Sequence, residues 1–300
     1  MGTIITDLRE KFRNGDVVIQ LIYINVAIFV VTALVGIILK LFGLGEYASF
    51  SFLALPASVG RFLMQPWSVI TYMFMHAGVW HILFNMLCLY WFGEIFLMFF
   101  SSKHLRGLYL LGGIVGGALF MLCYNVFPYF LPALESSVVV GASASILAII
   151  IAVAYREPNY RVQLFLVGNV SLKYLALFVV VVDLMFITSS NAGGHIAHLG
   201  GALAGLLFAV LLNKGIDLTR WINKILDFFF RLFRYHTWHR KPKMQVHYYD
   251  SVRRESDFEY NQRKKKKDEE IDRILDKLKK SGYGSLSSEE KKRLFDASKK

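Results

Sequence analysis

The sequence predicts an all-α membrane protein: six transmembrane helices followed by a basic, helical, cytoplasmic tail. Three observations predict it. Of the 300 residues, 55% are hydrophobic and the mean hydropathy is +0.44, above the roughly 45–50% apolar content of soluble domains. The excess is concentrated between residues 17 and 212, and the remainder is strongly charged. Six apolar runs fill that stretch, several of them reaching the about 20 residues that a spanning helix needs.

The runs are residues 17–41, 79–100, 105–126, 141–155, 171–187 and 195–212. The first follows Arg9, Lys11 and Arg13 and is too long for the apolar part of a cleavable signal, so it reads as a helix that stays. Loop charge orients the set, because cytoplasmic loops are rich in Lys and Arg. Lys103 and Arg106 follow helix two, Arg156 and Arg161 follow helix four, and the tail is heavily basic. Segments 127–140 and 188–194 carry no Lys or Arg, and the outer loop 43–67 has Arg61 as its clear positive charge. Both termini are therefore expected inside. The chain divides into a cytoplasmic segment 1–16, a membrane domain 17–214 and a cytoplasmic tail 215–300. Two isolated cysteines, Cys88 and Cys123, exclude a disulfide scaffold and read as packing residues. With no targeting segment, they fit a multi-pass protein of the bacterial inner membrane.

The net charge is +12. Beside so many apolar runs, the expected partner of this charge is the lipid bilayer, with anionic headgroups under the tail, and not nucleic acid. Residues 216–233 are amphipathic, Trp221, Ile225, Phe228 and Phe229 alternating with Arg220, Lys224, Asp227 and Arg231. This stretch suits the headgroup layer and equally an extension of helix six. Residues 240–267, ending in Lys264 to Lys267, read as a linker. A short helix carrying Ile271, Ile274, Leu275 and Leu278 follows, stops at Ser281-Gly282, and gives way to a second that starts at Ser287, with Glu290 completing a capping box.

Three polar groupings carry chemistry inside the apolar region, where such side chains mark function by default. Ser143 opens helix four among the small residues Gly141, Ala142 and Ala144. There it meets free first-turn N–H groups able to hold an oxyanion. His198 opens helix six above the close-packing face Gly201-x-x-x-Gly205, and its imidazole suits general-base work near neutral pH. Both residues begin helices that enter from the outer face, so they share one depth. His81 and Asn85 lie four apart on one face of helix two, both hydrogen-bond donors, with His76 just before it. Ser145 is the neighbouring rival serine and reads as structural; His195 is the rival base, and His198 is preferred because it directly precedes the glycine face. Zinc on His76, His81 and His198 lacks an acidic ligand, so no metal is expected. Asp183 is placed near mid-helix in helix five, below His198, which leaves a dyad without an acid.

Taken together these residues resemble the rhomboid family of intramembrane serine proteases. Its second-helix histidines and asparagine are matched by His76, His81 and Asn85. Its Gly-X-Ser is matched by Gly141 and Ser143, and its His-X-Gly-Gly by His198, Gly200 and Gly201. The resemblance covers roughly residues 67–208. It implies a six-helix rhomboid bundle with a hydrated cavity open to the outer face, a Ser143–His198 dyad, an oxyanion site of His81, Asn85 and the Ser143 N–H, and no cofactor. Gly141, Gly201, Gly205 and His76 would support the site. It further implies transmembrane protein substrates, a membrane-embedded first outer loop, and helix five as a lateral gate. Ala144 stands where many members have glycine, Leu97 stands where an acid often follows helix two, and the Trp-Arg pair of the first loop is not evident. The competing readings are an inactive rhomboid-like chaperone, which would usually lack the serine or the histidine, and a transporter, which would need a continuous polar path.

Overall fold

The computed structural model describes residues 15–43, 48–164, 168–235 and 257–298. Arg9, Lys11, Arg13 and residues 240–256 of the expected linker lie outside these. Two compact units divide the chain, residues 1–237 and 238–300.

The first unit is built on six helices: α1 (Val17–Leu41), α2 (Val79–Phe99), α3 (Ser102–Val126), α4 (Ser143–Arg156), α5 (Leu172–Met185) and α6 (Ala192–Asn213). Four of them, α1, α2, α3 and α6, are long and apolar enough to cross a membrane. The other two, α4 and α5, have 14 residues each. Asp16 starts α1 by accepting from the Ile19 N–H at 3.0 Å, and Ser101 starts α3 by accepting from His104, each meeting a donor that a helix start leaves unpaired.

The core is α3, α4 and α6 packed side by side, with α2 against α4, α1 outside α2, and α5 against α6 and α4. Small residues set how close these helices come. A Cβ on Gly116 of α3 would lie 2.7 Å from the Ala197 carbonyl oxygen of α6, and one on Gly200 would lie 2.7 Å from the Gly116 Cα. On α6, Gly201 and Gly205 face the carbonyl oxygens of Ala144 and Ala148 on α4, with no room for a side chain. This close approach replaces the apolar driving force that is absent between helices in lipid. The outward faces are apolar: Val30, Val31, Leu34, Ile37 and Ile38 of α1, and Tyr174, Leu177, Phe178 and Met185 of α5, are exposed. Such a surface belongs in hydrocarbon, not water.

One polar contact crosses the bundle between α1 and α3. The Asn25 amide donates to the Tyr109 hydroxyl at 3.1 Å, which donates to the Met73 carbonyl at 3.1 Å; Asn25 and Tyr109 are both fully buried. The network ties α1 and α3 to the segment before α2. Tyr109→Phe removes the hydroxyl and strands the Met73 carbonyl. Thermal unfolding in detergent should show a loss of about 1 kcal/mol, and a midpoint equal to wild type would refute the tie.

Short β pairs interrupt the expected all-α order. β1 (Leu55–Pro56) pairs antiparallel with β2 (Val138–Val139), so the segment before α2 is stitched to the chain just upstream of Ser143. Short helices Ala48–Leu53 and Val59–Met64 flank β1. The Trp67 indole donates to the Phe52 carbonyl at 2.9 Å, and Arg61 donates to the Glu135 carbonyl at 2.6 Å. Between α4 and α5, β3 (Arg161–Leu164) and β4 (Gly168–Ser171) form a hairpin where only a turn was expected.

The amphipathic stretch forms its own helix, α7 (Arg220–Tyr235), after a break at Gly215 (φ +81°), and so does not extend α6. It docks on the start of α3: Arg106 donates to Asn223 at 2.8 Å and pairs with Asp227, and Thr219 sits against Gly107. The hydrogen bond from Arg106 holds the Asp227 carboxyl below the usual carboxylate range. Trp221, Ile225, Phe228 and Phe229 remain exposed.

The second unit is a helical hairpin, α8 (Asp257–Ser281) and α9 (Ser288–Ser298). The helix expected from Ile271 begins earlier and takes in Lys264 to Lys267. Lysine is a good helix former, and Asp268, Glu269 and Glu270 follow the first three of these lysines at i+4. Gly282, at φ +75°, ends α8. The capping box forms as expected: Glu290 accepts from the Ser287 N–H at 2.7 Å, and Ser287 accepts from the Glu290 N–H at 3.3 Å. Ile274 and Leu286 are buried, while Leu275 is exposed.

Candidate active site

Ser143 is the first residue of α4. Gly141 precedes it at φ +126°, a backbone conformation that L side chains rarely adopt. A Cβ there would also lie 2.9 Å from the His81 Nε2. Glycine is therefore needed twice, for the turn into α4 and for the imidazole that lies over it. The Gly141 N–H donates to the Tyr72 carbonyl at 2.9 Å, which fixes the turn.

Across the bundle, the His198 Nε2 lies 2.7 Å from the Ser143 Oγ. This is hydrogen-bonding distance for a nucleophile and its base. The helices that carry the two residues cannot drift apart, because Gly201, one turn beyond His198, rests on the Ala144 carbonyl. Ser145, by contrast, is fully buried and its backbone faces Gly112 of α3.

His81 reaches the site through its Nε2 edge. Its Nδ1 accepts from the Ala77 N–H at 3.4 Å, so in the neutral ring the Nε2 carries the proton and acts as a donor. The His76 ring stands edge-on to it at 5.0 Å between centroids. Burial, with His81 alongside, holds His76 down to about 4, so it is uncharged at neutral pH. Asn85 is buried one turn below His81, and its amide donates to the His81 carbonyl at 2.9 Å. One N–H of that amide remains for another acceptor.

Asp183 differs from its expected place. It is 3% exposed, and its Oδ1 lies 2.9 Å from the His198 Nδ1 and 2.8 Å from the His195 Nδ1. Two helix boundaries account for the difference. α5 ends at Met185, so Asp183 occupies its last turn, and α6 begins at Ala192, so His198 lies in its second turn. The two changes bring acid and base to one level. The signal was present in Thr188-Ser189-Ser190-Asn191, a cluster that favours a turn ahead of a helix start. Asp183, His195 and His198 also offer three ligand atoms within 4.8 Å of one another. Each already meets a hydrogen-bond partner within the set, an arrangement suited to holding an imidazole.

Fold and site together define a polytopic membrane protein with a serine and a histidine hydrogen-bonded between two of its helices. The rhomboid domain family matches residues 63–215, just over half the chain. The chain belongs to the rhomboid family. A family of unknown function (DUF6576) matches residues 255–300, the helical hairpin. Similar curated proteins include RHOMBOID-like protein 12, mitochondrial, of Arabidopsis thaliana, 28% identical over 49% of this chain and 47% of that protein. Rhomboid protein 1, mitochondrial, of Saccharomyces cerevisiae is 26% identical over 51% of this chain and 44% of its own length. RHOMBOID-like protein 7 of Arabidopsis thaliana is 27% identical over 49% and 43%. The match spans under half the length of each relative. Two of these names place their proteins in mitochondria, so the relatives lend no support to the expected bacterial inner membrane.

Proposed function

We propose that the chain is an intramembrane serine endopeptidase acting on transmembrane proteins. The observation that carries the reading is the 2.7 Å contact between Ser143 Oγ and His198 Nε2, formed across 55 residues of sequence. The Ser143 Oγ attacks a peptide carbonyl carbon while His198 takes the hydroxyl proton. The oxyanion is held by the Ser143 N–H, which has no acceptor within its helix, and by His81 Nε2–H, with Asn85 beside it. His198 then protonates the leaving amine, and water hydrolyses the acyl-enzyme through the same base. The steps as written need no cofactor.

The reading places six spans in the bilayer, both termini on the Lys- and Arg-rich side. A 14-residue helix rises only about 21 Å, short of the about 30 Å hydrocarbon core. An α4 anchored at its inner end therefore starts beneath the outer surface, where water reaches Ser143. A helical substrate has its peptide bonds hydrogen-bonded, so segments with helix-weakening residues near their outer end are the expected targets. The exposed apolar face of α7 and the basic tail suit contact with anionic headgroups.

A fluorophosphonate probe tests the nucleophile directly. It should label the wild type and not Ser143→Ala; equal labelling of both would sink the assignment. An inactive escort protein would bind a membrane segment yet resist the probe.

A further inference from the structure

We propose that Asp183 and His195 are positioning residues that hold the His198 imidazole in the tautomer and orientation the reaction needs; the proposal rests on the Ser143–His198 reading. One carboxylate oxygen of Asp183 meets both rings, His198 Nδ1 at 2.9 Å and His195 Nδ1 at 2.8 Å. A nitrogen facing a carboxylate oxygen carries a proton. His198 therefore keeps its hydrogen on Nδ1 and presents a bare Nε2 to the Ser143 hydroxyl. The other tautomer would set a bare Nδ1 against the carboxylate oxygen, two acceptors facing each other.

His195 adds a second function to the carboxylate. A buried carboxylate is costly unless donors surround it. Among the described residues, the Asp183 Oδ2 has no hydrogen-bond partner, so its support comes through Oδ1. His195 lies one turn before His198 on the same rigid helix, with its ring stacked on Phe186 at 5.8 Å. Gripped between two donors of fixed spacing, the carboxylate cannot turn away from His198. The groups that face His198 are Ser143 from α4, His81 from α2, Asp183 from α5 and His195 from α6 itself. Of these, Asp183 is the acid, and it favours the imidazolium that forms as Ser143 attacks.

The test is the rate of fluorophosphonate labelling at Ser143, followed from about pH 5 to 9 across the imidazole range on the full chain in detergent. Asp183→Asn should label roughly 10- to 1,000-fold more slowly. His195→Leu should slow labelling roughly five-fold. His195→Gln, which keeps an N–H donor on a side chain of similar size, should restore most of that loss. The pair separates the N–H from any effect on folding. A wild-type rate in Asp183→Asn overturns the proposal and leaves the nucleophile intact. So does equal loss in His195→Leu and His195→Gln. A wild type that fails to label at Ser143 removes the protease reading itself and the proposal with it.

Discussion

Ser143→Ala and His198→Ala are each expected to lower cleavage of a single-pass membrane protein in liposomes by roughly 1,000-fold or more, and the double variant to be no worse than either. The lack of additivity is the informative part. With 2.7 Å between the two atoms, serine and imidazole are placed to act as one unit. Removing either leaves only the binding and oxyanion groups to act on the substrate. Initial rates at saturating substrate would decide it. Cleavage retained in Ser143→Ala, or losses that multiply in the double variant, would show that the pair is not the catalytic unit.

Gly201→Val should have an effect of similar size with no contact to the reacting atoms. A Cβ there collides with the Ala144 carbonyl oxygen, a backbone atom that no rotamer change can move. Overpacking of this kind costs about 1–3 kcal/mol and occasionally more. Relief comes when α4 backs away from α6, and a misplacement of about 1 Å at a reacting centre is enough for a roughly 100-fold loss. The expected outcome is a lower unfolding midpoint together with loss of probe labelling at Ser143. Gly36→Val is the control, since nothing lies within 4 Å of a Cβ on Gly36. Wild-type labelling in Gly201→Val would mean that α4 and α6 are not held at that contact.

The long helices were legible because each is a sustained apolar run, and α1 was read to the residue. The short elements were not. β1 and β2 are two residues each and exist through pairing between positions 84 residues apart at Leu55 and Val139, which local pattern does not record. Ser143 was legible at a helix start among small residues, and His198 through the glycines that follow it. Asp183 was misplaced because α5 ends two residues sooner and α6 begins three residues sooner than read, which together bring it within reach of His198. His195 was set aside as a rival to His198, although spacing of i and i+3 put the two on one face. The close approach of Gly116 and Gly200 was also missed, though Gly112-x-x-x-Gly116 in α3 has the same pattern as Gly201-x-x-x-Gly205.

On the proposed protease reading, with α5 as the lateral gate that the resemblance implies, the attachment of this helix sets an order of events. Leu172 and the β3–β4 hairpin fasten one end, the Asp183 hydrogen bonds fasten the other, and between them Ala176 is the buried side chain. A helix held in this way makes room by bowing at its waist or by releasing an end. Release at the Asp183 end strips His198 of its partner at the moment the passage is widest. The molecule would then be least reactive while admitting a guest and regain full reactivity only once α5 has swung back, so that closure itself arms the nucleophile.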